Sequence, residues 1–407
     1  MIQNMIDILE KEKCTGCGAC FAACPVGCIS MIADENGFEY PRVSESCINC
    51  GKCSNVCPAL SGKPRLSNAV EHKAFALCSK DPDVYVHSSS GGAFTEICSA
   101  FANADTVIFG AAFDGFKVIH TGVEGVENIA PLRKSKYVAA SAGDCFRQTK
   151  ALLEQGRRVV WCSTPCRISG LRSFLGHEYD NLLCVDFICH GVGSPKVFED
   201  FINYTQECYG EKLRKYTFRS KRKCDKNVSR HMSEYEFESG RKMYIDMDEY
   251  SQIFIDQLCL RDCCEGNCDY QTEERVSDIT IADFNSRHKA LPEIAWDYRA
   301  YSTLIVNTEK GQGVFEKLRS KVDCRQCAVD EIKKYNFLFC KKAPGNPRYK
   351  QFFEDYRNNE FSAVINKYAK PKKESRIKLF TNRMILKYYI IELAKIVYSR
   401  LKRLIKR

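Results

Sequence analysis

Within its first 60 residues the chain twice sets out four cysteines in one spacing. The first set is Cys14-x2-Cys17-x2-Cys20-x3-Cys24-Pro25 and the second is Cys47-x2-Cys50-x2-Cys53-x3-Cys57-Pro58. Thiolates at this spacing wrap a tight loop around one [4Fe–4S] cubane, with loop N–H groups turned toward the cluster sulfurs. The fourth cysteine of such a run usually ligates the other cluster. The expected assignment is therefore crossed: Cys14, Cys17, Cys20 and Cys57 for one cubane, and Cys47, Cys50, Cys53 and Cys24 for the other. Structural zinc uses two cysteine pairs and not two quartets, so zinc suits the pattern poorly. Residues 1–62 are thus expected to form a small α+β ferredoxin-like domain holding two clusters. Cys28 stands outside the pattern and reads as a small buried residue.

The chain has 407 residues and 25 cysteines, enough length for two or three domains. The start, Met1 to Asp7, lacks the basic and apolar runs of a signal peptide. Thiols in such number then point to a reducing cytoplasmic setting and suit an anaerobe, because thiolates and exposed clusters oxidise readily. The net charge of +10 is uneven. Residues 370–407 hold 13 basic and two acidic residues, so the rest of the chain sums to −1. A neutral body gives no support for nucleic-acid binding.

A polar segment with Gly62 and Pro64 follows the cysteine module, and residues 63–71 are read as a linker. Residues 72–345 alternate strand-like and helical patterns and are expected to form an α/β domain, a mixed sheet with helices. Strands are expected at Ala74–Cys78, Val107–Phe113, Val159–Cys162, Leu182–Cys189, Ile279–Phe284 and Ser302–Asn307. Helices are expected after Ser90, near Asp144, after Pro165, at Ser194-Pro195 and near Gly311. The charged stretch 210–250 carries no clear period. No G-x-G-x-x-G follows a strand, so a Rossmann NAD site is not supported, and no Walker loop occurs.

Six motifs spread along this region carry a resemblance. They are Ser89-Ser90-Gly91-Gly92, Lys134-Ser135-Lys136-Tyr137, Thr164-Pro165-Cys166-Arg167, Cys189-His190-Gly191, the pair Cys264/Cys268, and Ser277-Asp278-Ile279-Thr280-Ile281-Ala282-Asp283-Phe284. In order and spread the chain resembles the coenzyme F420 hydrogenase/dehydrogenase beta subunit family. That resemblance implies an α/β domain binding FAD and a third [4Fe–4S] cluster. By position, the third cluster's ligands would be Cys166, Cys189, Cys264 and Cys268. Ser90, Gly91, Gly92 and Thr95 would form the flavin-phosphate loop, and Lys136 and Tyr137 would line the flavin site. Three positions depart from the family pattern. The last pair is C-x3-C with Cys263 as a competing ligand, Ala282 stands where Gly is frequent, and Asn285 stands where Trp is common.

The implied activity is that of an iron–sulfur flavoprotein oxidoreductase. Cubanes pass single electrons, whereas a flavin exchanges one or two. The expected partners are a redox protein, either a ferredoxin or a hydrogenase/dehydrogenase subunit, and a small two-electron substrate, with coenzyme F420 a candidate. A non-catalytic electron-relay subunit, or a ferredoxin-dependent reductase of another substrate, is the alternative. No catalytic acid or base stands out; His190 reads as structural. In the basic tail, Leu386, Ile390, Leu393, Val397, Leu401 and Leu404 form a helical stripe. Such a helix suits peripheral contact with the inner face of the cell membrane, or equally a partner protein.

Overall fold

The computed structural model describes residues 6, 9–221, 232–285, 290–294, 297 and 299–371. Each cysteine run bends where its spacing demands. Gly18 (φ 87°) and Gly51 (φ 71°) sit between the second and third cysteines in the left-handed region. Each hands the chain to a short helix, α1 (Ala19–Ala23) and α2 (Lys52–Asn55). Between the runs lies an antiparallel hairpin, β1 (Ile29–Ala33) and β2 (Glu39–Val43). A third short helix, α3 (Pro58–Ser61), begins at the proline after Cys57.

The larger body is built on an eight-stranded mixed sheet. Its strands are β3 (Ala69–Ser79), β4 (Val107–Asp114), β5 (Lys117–Glu124), β6 (Val159–Cys162), β7 (Leu182–Phe187), β11 (Ile279–Asp283), β12 (Ser302–Thr308) and β13 (Val322–Cys327). They lie in the order β13-β3-β12-β11-β7-β6-β4-β5. Four neighbouring strands, β11, β7, β6 and β4, are mutually parallel. They are apolar along their length, as strands covered on both faces must be: Val159, Val160, Trp161, Leu183, Cys184 and Val185 are all fully buried. Every strand expected from sequence lies in this sheet. Both β5 and β13, which the sequence did not announce, are edge strands.

Helices α4 (Pro82–Val86) and α5 (Ala93–Phe101) follow β3. Others cross between the parallel strands: α6 (Cys145–Glu154) before β6, and α7 (Pro165–Leu175) between β6 and β7. Pro165 occupies the first turn of α7, where its missing N–H costs nothing. After β7 comes α8 (Pro195–Tyr209), capped by the Ser194 hydroxyl, which accepts from Val197 N–H at 3.0 Å. That hydroxyl also donates to the Asn36 carbonyl, fastening the cysteine module to the start of α8.

The stretch 210–250 forms a separate three-stranded antiparallel sheet, β8 (Leu213–Thr217), β9 (Met232–Phe237) and β10 (Lys242–Asp246), followed by α9 (Glu249–Ile255). Its inner face supplies Tyr216, Tyr235 and Phe237 to an aromatic core with Phe198, Phe201 and Tyr250. Buried Asp248 ties this region together. One oxygen accepts from Ser251 N–H at 2.8 Å and caps α9. The other accepts from the Tyr216 and Tyr235 hydroxyls at 2.7 and 3.0 Å.

Among the described residues no helix is long and apolar enough to cross a membrane. The amphipathic stripe expected at 386–404 lies outside the described residues.

At the carboxyl end of β7, Asp186 and Arg275 make an ion pair of 2.7 Å with side chains 0% and 1% exposed. Thr280 donates to the second Asp186 oxygen at 2.6 Å. Arg275→Met would strand a buried carboxylate and should cost about 3–5 kcal/mol. A urea titration should show this as a lower midpoint, partly recovered by adding Asp186→Asn. An unchanged midpoint would show that the pair carries no structural weight.

Candidate functional site

Ligand sites in open α/β sheets gather beyond the carboxyl ends of the parallel strands. Here those ends deliver cysteine. Thr164-Pro165-Cys166 follows β6 and turns into α7, while Ile188-Cys189-His190 follows β7. Cys263 and Cys264 sit on a short turn, Asp262–Cys264, and Cys268 follows a few residues later. All five line one cavity of about 1270 Å³. Ligand pockets commonly run to about 1,000 Å³, so there is room for a dinucleotide-sized molecule.

The thiols face one another. Burial pushes the Cys166 thiol up to about 11, with Cys264 and Cys268 adding to the shift and the Thr164 hydroxyl opposing it. Burial, then Cys264, Cys268 and Cys166, raises Cys189 well above an ordinary thiol. Burial and Cys264 bring Cys268 to about 11. Cys264 is thus close to each of the other three. Cys263 lies 4.0 Å from Cys264, sulfur to sulfur, and its hydrogen bond holds the Cys264 thiol down. Thiols gathered so that ionising one disfavours ionising its neighbours are a donor set suited to a positive centre. Among the described residues no three Cys, His, Asp or Glu side chains are placed to hold a single metal ion. A mononuclear zinc site would need sulfurs about 3.8 Å apart all round, from zinc–sulfur bonds of about 2.3 Å.

In the cysteine module the two quartets separate as crossed sets. Burial raises Cys20, and Cys17, Cys14 and Cys57 add to it in that order. Burial brings Cys57 to about 11, with Cys17 and Cys14 contributing. Cys24, Cys47, Cys50 and Cys53 instead line a second, small hollow together with Cys28. Cys28 N–H donates to the Cys24 sulfur at 3.3 Å. Burial opposes it, yet the hydrogen bonds from Cys28, Val26 and Gly27 hold the Cys24 thiol below the ordinary range. Cys50 is exposed, whereas Cys14, Cys17, Cys20 and Cys57 are buried.

The buried set abuts the cavity wall. Helix α7 presents Gly170 to Cys17, and a Cβ there would come within 2.7 Å of the Cys17 sulfur. Four residues farther back on the same helix is Cys166. Three thiol sets therefore succeed one another from the exposed Cys50 to the cavity.

The residues expected at a flavin divide. Ser90, Gly92, Lys136 and Tyr137 line the cavity, whereas Gly91 and Thr95 do not. Gly91 is pressed on strand β3, where a Cβ would meet the Leu77 carbonyl at 2.2 Å, and its N–H donates to Ser302 Oγ at 2.9 Å. Thr95 is 3% exposed with an unpartnered hydroxyl. The Ser90 hydroxyl donates to the Tyr301 carbonyl at 2.9 Å. Helix α5 begins at Gly92 with no side-chain cap, and Ala93 and Phe94 open onto the cavity. An uncapped helix start attracts anions through its free N–H groups and positive dipole end. The Lys136 ammonium donates to the carbonyls of Pro131 and Arg133 at 2.9 and 2.7 Å. Burial pulls it down to about 7, with Cys162 opposing. Tyr137 stacks on Phe254 with centroids 4.6 Å apart.

Several cavity residues carried no separate signal in the sequence. Arg219 pairs with Asp283 at 2.8 Å and donates to the Ser89 carbonyl at 3.1 Å, linking the small sheet to the α5 loop. His120 accepts from Arg167 at 3.1 Å and lies flat against Trp161. Burial, then Arg167, holds its pKa well below the ordinary value, so the imidazole is neutral.

Residues 156–334 match the family described as the C terminus of the coenzyme F420 hydrogenase/dehydrogenase beta subunit. Residues 13–60 match a 4Fe-4S dicluster domain. An uncharacterized ferredoxin of Methanocaldococcus jannaschii is 48% identical over 33 residues, 8% of this chain and 43% of that protein. The chain thus spans less than half of that curated relative. A chain of the F420-reducing [NiFe] hydrogenase complex from Methanosarcina barkeri superposes at a TM-score of 0.44 and 14% identity, covering 73% of this chain and 95% of its own.

Gly170→Ala should force Cys17 aside and lower bound iron while circular dichroism stays unchanged. Gly313→Ala, where a Cβ meets nothing within 4 Å, is the control. Equal iron in both variants would show that the contact is slack.

Proposed function

With the C-terminal domain of the coenzyme F420 hydrogenase/dehydrogenase beta-subunit family at residues 156–334 and a 4Fe-4S dicluster domain at 13–60, we propose that this chain is an iron–sulfur flavoprotein oxidoreductase. It would exchange single electrons with a partner protein and two electrons with a small substrate. The observation that carries this reading is the convergence of Cys166, Cys189, Cys264 and Cys268 on one cavity wall, next to the buried N-terminal thiol set.

On this reading residues 1–62 form the two-cluster domain, 63–71 the connection, its last three residues already in β3, and 72–345 the flavin and cluster domain. The connection is tied down: Lys63 donates to the Asp269 carbonyl at 2.6 Å and Ser67 to Glu178 at 2.8 Å. Cys14, Cys17, Cys20 and Cys57 would hold one cubane, Cys24, Cys47, Cys50 and Cys53 the second, and Cys166, Cys189, Cys264 and Cys268 the third. Cys263 is the alternative to Cys264. Such groups supply one-electron and two-electron chemistry that the side chains lack.

The chain's own residues do the rest. The uncapped start of α5 at Gly92 would receive the flavin phosphates through backbone N–H groups. Arg219, fixed by Asp283, braces the Ser89 turn before it. Tyr137 and Phe254 give the cavity a flat apolar wall that excludes water. Lys136, with a pKa of about 7, holds a proton that it can release near neutral pH. The exposed Cys50, beside Ile48 at 60% exposure, is where a ferredoxin or hydrogenase subunit would dock.

Protein purified without oxygen should contain about twelve irons, four per cubane, and release FAD on extraction. Cys166→Ala should remove about four irons and leave about eight. About eight irons in the parent protein would remove the third cluster, and a colourless extract would remove the flavin. Reduced coenzyme F420 should bleach the flavin; failure with every soluble two-electron donor would leave a relay subunit as the function.

A further inference from the structure

Two buried arginines stand between the first N-terminal thiol set and the cavity's cysteines. Arg167 directly follows Cys166 and is 8% exposed; Arg261 precedes Cys263 and Cys264 and is 3% exposed. Each side chain leaves its own cysteine and reaches back to the same short loop. Arg261 Nε donates to the Cys14 carbonyl at 2.8 Å, and its Nη2 donates to the Glu39 carbonyl at 2.9 Å and lies 3.8 Å from the Cys14 sulfur. Arg167 donates to the Ala140 carbonyl at 2.6 Å, to the Gly16 carbonyl at 3.4 Å and to His120. The Arg261 guanidinium covers the Tyr40 ring at 4.1 Å and rests on the Cα of Gly16.

Neither guanidinium forms an ion pair with a carboxylate among the described residues. Glu39 offers Arg261 only its carbonyl, and Asp144 and Asp278 are taken by Arg147 and Arg172. Asp262 accepts from the Tyr349 hydroxyl. Arginine stays charged at any ordinary pH, and a buried charge without a counter-charge is strongly disfavoured. Both cations are solvated by backbone carbonyls, and the ionisable groups that act on them are mainly thiols. Cys14, Cys263 and Cys264 act on Arg261, and Cys166 and Cys17, ahead of Glu39, act on Arg167. A cubane bound by four thiolates is a net anion, and gaining an electron makes it more so.

We propose that Arg167 and Arg261 form a cationic bracket that raises the reduction potential of the cluster held by Cys14, Cys17, Cys20 and Cys57 above that of its outer twin. This deepens the proposed function and rests on it. With the one-electron donor protein of the proposed function as reductant, the cluster that these cysteines would hold would take up one electron as one ferric iron became ferrous, and the two guanidiniums would stabilise the added negative charge. Among the described residues the twin set, Cys24, Cys47, Cys50 and Cys53, has no buried, unpaired arginine against it: Arg147 donates to the Cys24 carbonyl at 3.4 Å, but it is part-exposed and paired with Asp144. An electron arriving at exposed Cys50 therefore moves downhill toward α7. The arginines are positioning residues and touch no substrate.

The test is a potentiometric titration of the full chain, prepared without oxygen and followed by electron paramagnetic resonance with dithionite and mediators. Arg261→Gln should keep its iron and lower the reduction equilibrium of the inner N-terminal cluster at least tenfold, a shift of about 59 mV to more negative potential, and the third cluster, whose cysteines the same arginines face, should move in the same direction. The other N-terminal cluster should not move. Arg167→Gln should shift the same cluster the same way. Arg261→Lys keeps the charge and loses the planar fork, and should stay near the parent potential. An iron-loaded Gln variant with unmoved potentials would overturn the bracket, as would equal shifts in both N-terminal clusters. If the Gln variants lose iron, the Lys variant decides: iron retained at the parent potential supports the bracket, and a large shift refutes it. Absence of iron and sulfide in the parent protein would instead defeat the proposed function itself.

Discussion

The inner cysteine loop and helix α7 meet with almost no side chain between them, and much of the architecture serves that contact. Gly170 removes the Cβ that would strike the Cys17 sulfur, and Gly16 leaves a seat for the Arg261 guanidinium. Around this point the two bodies are fastened by backbone acceptors. Arg147 donates to the Phe21 and Ala22 carbonyls at 2.7 and 3.0 Å, and Ser194 reaches the Asn36 carbonyl. Electron exchange between protein-bound centres weakens steeply with separation. A rigid, side-chain-free contact keeps that separation short without relying on a mobile linker.

The parallel sheet explains why distant cysteines share one wall. Cys166 and Cys189 are 23 residues apart in sequence, yet each is delivered just past the end of a neighbouring strand, β6 or β7. The turn with Cys263 and Cys264 comes from another direction, out of the aromatic core. Gly193 bridges to Leu260 and to Val138, and Arg261 N–H donates to the Val192 carbonyl at 3.0 Å. A buried cluster of tyrosines and phenylalanines thus sets the height of the third arm of the site.

Much of this was legible in the sequence. The quartet spacing announced the inner and outer thiol sets, and the apolar runs announced the central strands, because both signals are local and periodic. The small sheet at 213–246 was not legible. Its strands carry Lys, Arg and Glu on the outward face, such as Lys215, Glu234 and Lys242, which mask the inward tyrosines. The flavin-side expectation was half legible. The motif Ser89–Gly92 marked the start of α5, but only packing shows that Gly91 is needed for contact with β3 and that Thr95 does not line the cavity. Arg167 and Arg261 take their meaning from what they reach across the fold, which no local pattern encodes.

The two halves of the cysteine module look like repeats, yet their surroundings differ. Gly16 is hemmed in by Arg261, whereas the equivalent position in the second run is Asn49, also in the left-handed region at φ 53°. Gly51 has nothing within 4 Å of where a Cβ would sit, while Gly18 faces Ala142 at 3.0 Å. The outer half has room to accept substitutions without disturbing the rest of the fold. The inner half is locked to the larger body. Under the proposed function, such a chain could exchange its partner over evolutionary time while the inner contact stayed fixed.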